Sequence, residues 1–209
     1  FGGPECRYRI TDYIEPEDDC TYFGLGAEIY QATVSAEVFK KTTIANVAIR
    51  GLVLTGSSPD PLVTDGTNRA IELYDAVDIT VEDCRFNNCG SAGVFISGGS
   101  SAANVPTRID IHGNRFYNCN DGIFVYVGGN ELHVDGNFIR KCGRGGIYLD
   151  DVSTGDGSST SIAVLRSTVT GNFISDFGIH ASGYGITSGQ MENCIVSGNQ
   201  IFDGIGDAI

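Results

Sequence analysis

One phrase recurs along this chain. An alternating apolar stretch leads into Gly-Asn, an apolar pair, a Cys, glycines and a second apolar stretch. Aligned on the Gly-Asn step, the copies are "ITVEDCRFNNCGSAGVFI" (79–96), "IDIHGNRFYNCNDGIFV" (109–125), "LHVDGNFIRKCGRGGIYL" (132–149), "TVTGNFISDFGIHASGYGI" (168–186) and "IVSGNQIFDGIGDAI" (195–209). A looser copy runs from "VAIRGLVLTG" (47–56) to "RAIELY" (69–74). Equivalent residues lie 23 to 35 positions apart, and the extra residues fall in Gly/Ser/Asn-rich loops.

Within each copy the pattern has period two, so alternate side chains face opposite sides of a strand. In the second copy the stretches are Ile109–Ile111, Arg115-Phe116 and Ile123–Val125. Three short strands cannot bury an apolar face alone, but stacked copies can. The expectation is an all-β, right-handed parallel β-helix with three short strands per coil. A leucine-rich repeat lacks support, because its fixed Leu spacing is missing. The domain is read as one unit over 1–209, with an entry segment over 1–43 and repeating coils over 44–209. Both ends read as cut.

The alignment also assigns faces. Asn114, Asn137, Asn172 and Asn199 recur at one turn and predict an internal amide ladder, with Cys84 in that place one copy earlier. Cys89, Cys119 and Cys142 share a second column, and Cys194 aligns with inward Leu132 and Ile109. Five of the seven Cys are therefore expected as buried small apolar residues. Stacked thiols are preferred over disulfides, and a Cys6–Cys20 bridge stays open. Buried free thiols fit folding in a reducing cytosol before work outside the cell.

A net charge of −13 argues against nucleic acid or an anionic membrane as partner. It leaves a glycan open, since a local Arg cluster overrides the global sign. No apolar run approaches the roughly 20 residues that span a bilayer.

These residues resemble the pectate-lyase-like superfamily of β-helix proteins. The repeats carry the likeness, and so does "CRYRITDYIEPEDDCTYFGLGAEIYQ" (6–31), which resembles the entry segment of such proteins in bacteria and phage tailspikes. The resemblance implies action on a polysaccharide as a lyase, hydrolase, epimerase or tailspike depolymerase. It also implies an extracellular or virion-surface location, with a homotrimer or stacking on further coils as assembly. The polygalacturonase motifs are not met: "NCNDGI" (118–123) has no Gly-Asp-Asp, Gly-His-Gly or Arg-Ile-Lys after it. The Asp-Pro-His motif of alginate epimerases is also absent.

The resemblance places a groove along the sheet that follows the glycine column Gly93, Gly122, Gly146 and Gly185. After each Gly the strand runs in, out, in. Ile71, Val94, Ile123, Ile147 and Ile186 point inward, while Glu72, Phe95, Phe124, Tyr148 and Thr187 point outward. Tyr126 and Asp150 sit one level further along. Phe95, Phe124 and Tyr148 would then form a solvated sugar-binding track, with Glu72 and Tyr126 beside it. The alternatives are a stacking ladder or a covered face, and for the whole domain a non-catalytic glycan-binding, adhesive or structural fibre β-helix.

Asp121, Arg144 and His180 are expected on successive coils at the edge of this sheet. With Tyr148 they offer a cation for a uronate carboxylate and a base for proton removal, or else Asp121–Arg144 is a weak surface ion pair. Hydrolysis needs two carboxylates about 5–9.5 Å apart. Strand geometry puts Asp121 about 16 Å from Asp150 and about 14 Å from Glu72, so neither pair fits. Asp150 with Asp151 or Asp156 fits only if "DDVSTGDGSSTS" (150–161) folds back. That loop offers oxygen ligands for Ca²⁺, but not with EF-hand spacing, and no cofactor is expected. His133 beside Asp110 and His112 beside Asp135 read as surface pairs.

Overall fold

Each alternating stretch pairs in parallel with its counterpart one copy later. In the computed structural model, which describes residues 2–33, 36–58, 68–98, 104–150, 163–179 and 183–207, every paired strand is parallel and no α-helix occurs among the described residues. Ile79, Ile109 and Leu132 are successive register partners, as are Val81, Ile111, Val134, Val169 and Val196. Phe86, Phe116, Ile139, Ile174 and Ile201 form another inward column. As far as Val169 and Ile174 these columns make one continuous core, with Phe86 and Phe116 stacked at 4.5 Å. The ladder already includes the entry segment, where Arg7–Ile10 pairs with Glu28–Gln31.

The strands are longer than the expected three short pieces. Arg115–Tyr126 and Phe138–Leu149 each run unbroken for 12 residues across a corner. Phe39–Arg50 and Ile71–Glu82 do the same at the next corner. The chain bends at single left-handed residues, Asn118 and Lys141 in the first two strands and Asp75 and Asp78 in the fourth, without leaving the ladder. Just past the Asn118 corner the pairing shifts by one between Cys119 and Asp121, with the extra residue on the Phe138–Leu149 strand between Cys142 and Gly145.

The Gly-Asn step has a two-part cause. Gly113, Gly136, Gly171 and Gly198 have φ between 60° and 67°, a left-handed turn that glycine adopts without strain. The following Asn turns inward and bonds along the stack. Asn137 donates through Nδ2 to Ile111 O (2.8 Å) and Asn172 Oδ1 (3.0 Å), and its Oδ1 accepts from Asn114 N and Nδ2. Asn199 continues the ladder, and the Cys84 N–H donates to Asn114 Oδ1 at 2.9 Å, so Cys84 does stand in the Asn position.

Cys84, Cys89, Cys119 and Cys142 are buried, with Cys119 and Cys142 in register. Cys194 differs from the expectation: it is only half-buried, because no further rung covers its column among the described residues. All seven thiols are free, including Cys6 and Cys20. Burial pushes the Cys84 thiol up to about 12. The neighbouring Cys119 thiol and burial raise Cys89, and burial raises Cys142. A thiol kept protonated and out of solvent does not react. Native protein treated with iodoacetamide at pH 8 is therefore expected to label at Cys6, Cys20 and Cys194 only. Peptide mapping that finds Cys89 or Cys142 alkylated before unfolding would contradict this packing.

Candidate functional site

One sheet of the coil brings the predicted Glu72, Phe95, Phe124 and Tyr148 into a single outward column. Its register partners run Lys40, Glu72, Phe95, Phe124, Tyr148 and Thr187. Two residues further along lie Tyr74, Ser97 and Tyr126, with Asp150 beyond, whose N–H bonds Val125 O at 2.8 Å. The glycine column exists for lack of space rather than for a turn. A Cβ at Gly122 would lie 2.6 Å from Gly146 O, and one at Gly146 would lie 2.6 Å from Gly185 O.

The column is not the evenly solvated aromatic track that alternation predicts. Phe95 is only 4% exposed and Glu72 3%. The Arg69 guanidinium lies 3.6 Å from the Phe95 ring centroid, and Tyr74 packs edge-on against the same ring. Phe95 meets Phe124 at 90°, not stacked, whereas Phe124 and Tyr148 do stack at 4.7 Å. Tyr126, 37% exposed, packs against both Phe95 and Phe124. The accessible aromatic surface is thus Phe124, Tyr126 and Tyr148, with Phe95 as a platform beneath Arg69.

Two ion-pair centres flank these rings. At the first, Glu72 Oε1 accepts from Arg69 Nη1 at 2.6 Å and from the Tyr74 hydroxyl, and Lys40 Nζ lies 3.2 Å from Oε2. Burial works against the Glu72 charge. Hydrogen bonds from Glu37 and Tyr74 and the charges of Arg69 and Lys40 outweigh it and hold the carboxyl below its usual range.

At the second centre, Arg144 forks onto Asp121, with Nε donating to Oδ1 at 3.0 Å and Nη2 to Oδ2. The expected surface pair at a sheet edge is instead a pair with a buried anion inside the strands. Asp121 is 1% exposed, covered by Arg144 and Tyr184 from later in the chain. Burial raises its pKa despite the fork. The guanidinium lies 5.1 Å from the Phe124 ring and 5.4 Å from Tyr148. The Tyr184 hydroxyl is buried without an aligned hydrogen bond and is raised by burial and by the nearby Asp121 charge. Tyr148 is raised by burial and by Asp150.

His180, Asp151 and Asp156 lie outside the described residues, as does most of the loop read as a Ca²⁺ candidate. Among the described residues no three His, Cys, Asp or Glu side chains form a metal-holding group. His112 and Asp135 are register neighbours, but His112 Nε2 lies 2.9 Å from Glu82, while His133 Nδ1 bonds Thr168 Oγ1 at 2.9 Å rather than Asp110.

Sequence reading missed Glu37, Lys40, Arg69, Tyr74 and Tyr184. The alternation in "VFKKT" (38–42) matches "AIELY" (70–74) and was the available signal for Lys40. A second aromatic ladder also escaped it: Phe138 and Phe173 stack at 4.7 Å, with Phe202 5.5 Å from Phe173. Hollows beside that ladder, lined by Tyr117, Arg140, Asp176 and Ile205 among others, lie on a different face from the column.

The model of the right-handed β-helix region matches residues 63–209. No curated protein matches the chain. With well over half of the chain matched and the parallel ladders running through it, the chain belongs to the right-handed β-helix family.

Proposed function

We propose that the column from Glu72 to Tyr148 is the face on which this β-helix binds, and cleaves, an extracellular polysaccharide. The single observation that carries this reading is the juxtaposition of accessible Phe124, Tyr126 and Tyr148 with an Arg-held buried carboxylate, Asp121. Sugar rings lay C–H faces against aromatic surface, while neighbouring fixed dipoles and charges read their hydroxyls. Glu72 to Tyr148 spans three rungs, about 14 Å, room for a short oligosaccharide. A tailspike depolymerase at a virion surface, acting as a homotrimer, is one setting for such a face. The resemblance supports it.

A non-catalytic, adhesive role is the second reading, and one observation favours it. Arg144 already donates to both Asp121 oxygens, and the carboxylate lies sealed beneath it, which leaves a substrate little access to Asp121.

The test is a panel of bacterial capsular and algal polysaccharides, following both retention and polymer size. Phe124→Ala combined with Tyr148→Ala is expected to weaken retention at least tenfold, at about 1–3 kcal/mol for each lost aromatic contact. Shortened polymer supports cleavage, and retention without shortening supports the adhesive reading. No retention of any polysaccharide sinks both.

A further inference from the structure

The entry end of the column carries a second device. Glu37 and Glu72 are both buried, and both approach one ammonium: Lys40 Nζ lies 3.3 Å from Glu37 Oε1 and 3.2 Å from Glu72 Oε2. Glu72 Oε2 is nonetheless sealed from solvent with no aligned donor. A proton on Glu37 would be shared across this carboxyl pair, whose two members already share Lys40. Burial, then the hydrogen bond to Glu72 and its charge, favour such a proton by raising Glu37.

Exposure is sorted by sign. The side chain of Lys40 is 37% exposed and that of Arg69 17%, while Glu37 and Glu72 show 10% and 4%. The carboxyls lie beneath and the cations face outward, on a chain of net charge −13. Arg69 is fixed by Glu72, by Ser91 Oγ at 3.3 Å and by the Phe95 face. Among the described residues, Tyr74 is bonded to Glu72, and Glu15 is held by Lys41 at 2.7 Å. With one proton on the pair the centre holds two cations and one anion. When the proton leaves, the charges cancel and Lys40 is drawn onto two carboxylates.

The geometry points to a proton-dependent anion site in which Lys40 and Arg69, seated on the Glu37–Glu72 pair, take a carboxylate or sulfate group of a polymer in mildly acidic medium. It rests on the glycan-face reading only for the identity of that polymer.

Dextran sulfate, whose charge does not change between pH 5 and pH 8, is the probe, with dextran as the neutral control and polyphosphate as a polyanion without sugar. All are measured at low, fixed salt. Wild type is expected to bind dextran sulfate more tightly at pH 5 than at pH 8. Lys40→Gln is expected to weaken binding about three- to tenfold at pH 5, the loss of one charge at contact range. Glu37→Gln fixes the neutral state, so its pH 5 to pH 8 affinity ratio is expected to fall about three- to tenfold below that of wild type. The loss of net negative charge on acidification acts on all variants alike and cancels in that comparison.

The ¹³C carboxyl shift of Glu37 gives a readout without ligand, with a titration midpoint expected above that of a free glutamate. Equal ratios for wild type and Glu37→Gln overturn the inference, as does unchanged binding by Lys40→Gln, no polyanion bound at pH 5, or an ordinary Glu37 midpoint. Retention of neutral glycans alone overturns it while leaving the glycan face intact. Polyphosphate bound by a protein that retains no sugar polymer keeps the anion site and sinks the glycan reading.

Discussion

Asn137→Ala is expected to lower the unfolding free energy by about 3–5 kcal/mol, read as a shift of the urea midpoint. The figure follows from what the side chain leaves behind. Asn114 N and Nδ2 lose their acceptor, and Ile111 O and Asn172 Oδ1 lose a donor, all in the interior. A buried polar group deprived of its partner costs about 1–3 kcal/mol, and some of these groups retain other bonds. Because stability in a solenoid is carried between neighbouring coils, the damage is local. Amide exchange is expected to accelerate at Asn114 and Asn137 before it does at Val81 or Ile49. A midpoint within 1 kcal/mol of wild type would mean that the amide ladder reports register without carrying stability.

Gly122→Ala and Gly146→Ala are the second large expectation, each costing about 3 kcal/mol or more. At Gly122 the new Cβ meets Gly146 O at 2.6 Å and Ile139 Cγ2 at 2.8 Å. At Gly146 it meets Gly185 O and Ile174 Cγ2, both at 2.6 Å. The carbonyl cannot retreat without opening the rung above, so the overpacking falls at the upper end of its usual range. Gly136→Ala separates space from conformation. Its φ is +60°, but nothing stands within 4 Å of the added atom, so only the left-handed penalty of about 1–2 kcal/mol remains. Thermal or urea melts of the three variants would check the order. Equal costs would show that backbone conformation, not the approach of one rung to the next, fixes the glycine column. Since Gly122 follows Asp121 directly, its substitution is also expected to disturb the Arg144 fork.

The fold was open to reading because a coil repeats its constraints. Every copy needs a left-handed turn residue, an inward amide and two runs of inward Val, Ile or Phe, so the sequence shows them several times over. Gly113-Asn114, Gly136-Asn137 and Gly171-Asn172 defined the register, which the ladder of Asn bonds reproduces. Inward and outward assignment in the glycine-column sheet followed from period two alone.

What alternation does not reveal is the cover over an outward residue. Phe95 and Phe124 are equivalent by pattern, yet Arg69 folds over the first, which is buried, while the second keeps part of its surface open. Lys40 joined the column through a pairing across a loop, Phe39 with Ile71, whose length hides the register. Asp121 reads as a sheet-edge residue, yet it lies buried, held by Arg144 on the next coil, where the pairing slips by one residue between Cys142 and Gly145.

The sequence by itself determined the coil, its inward columns and the line of residues along one sheet, because backbone pairing and period two depend on local pattern. Only the tertiary structure decided which of those residues meet solvent, which carboxylates are buried beneath cations and which rings stack. Those outcomes depend on long side chains reaching between rungs from residues far apart in the chain.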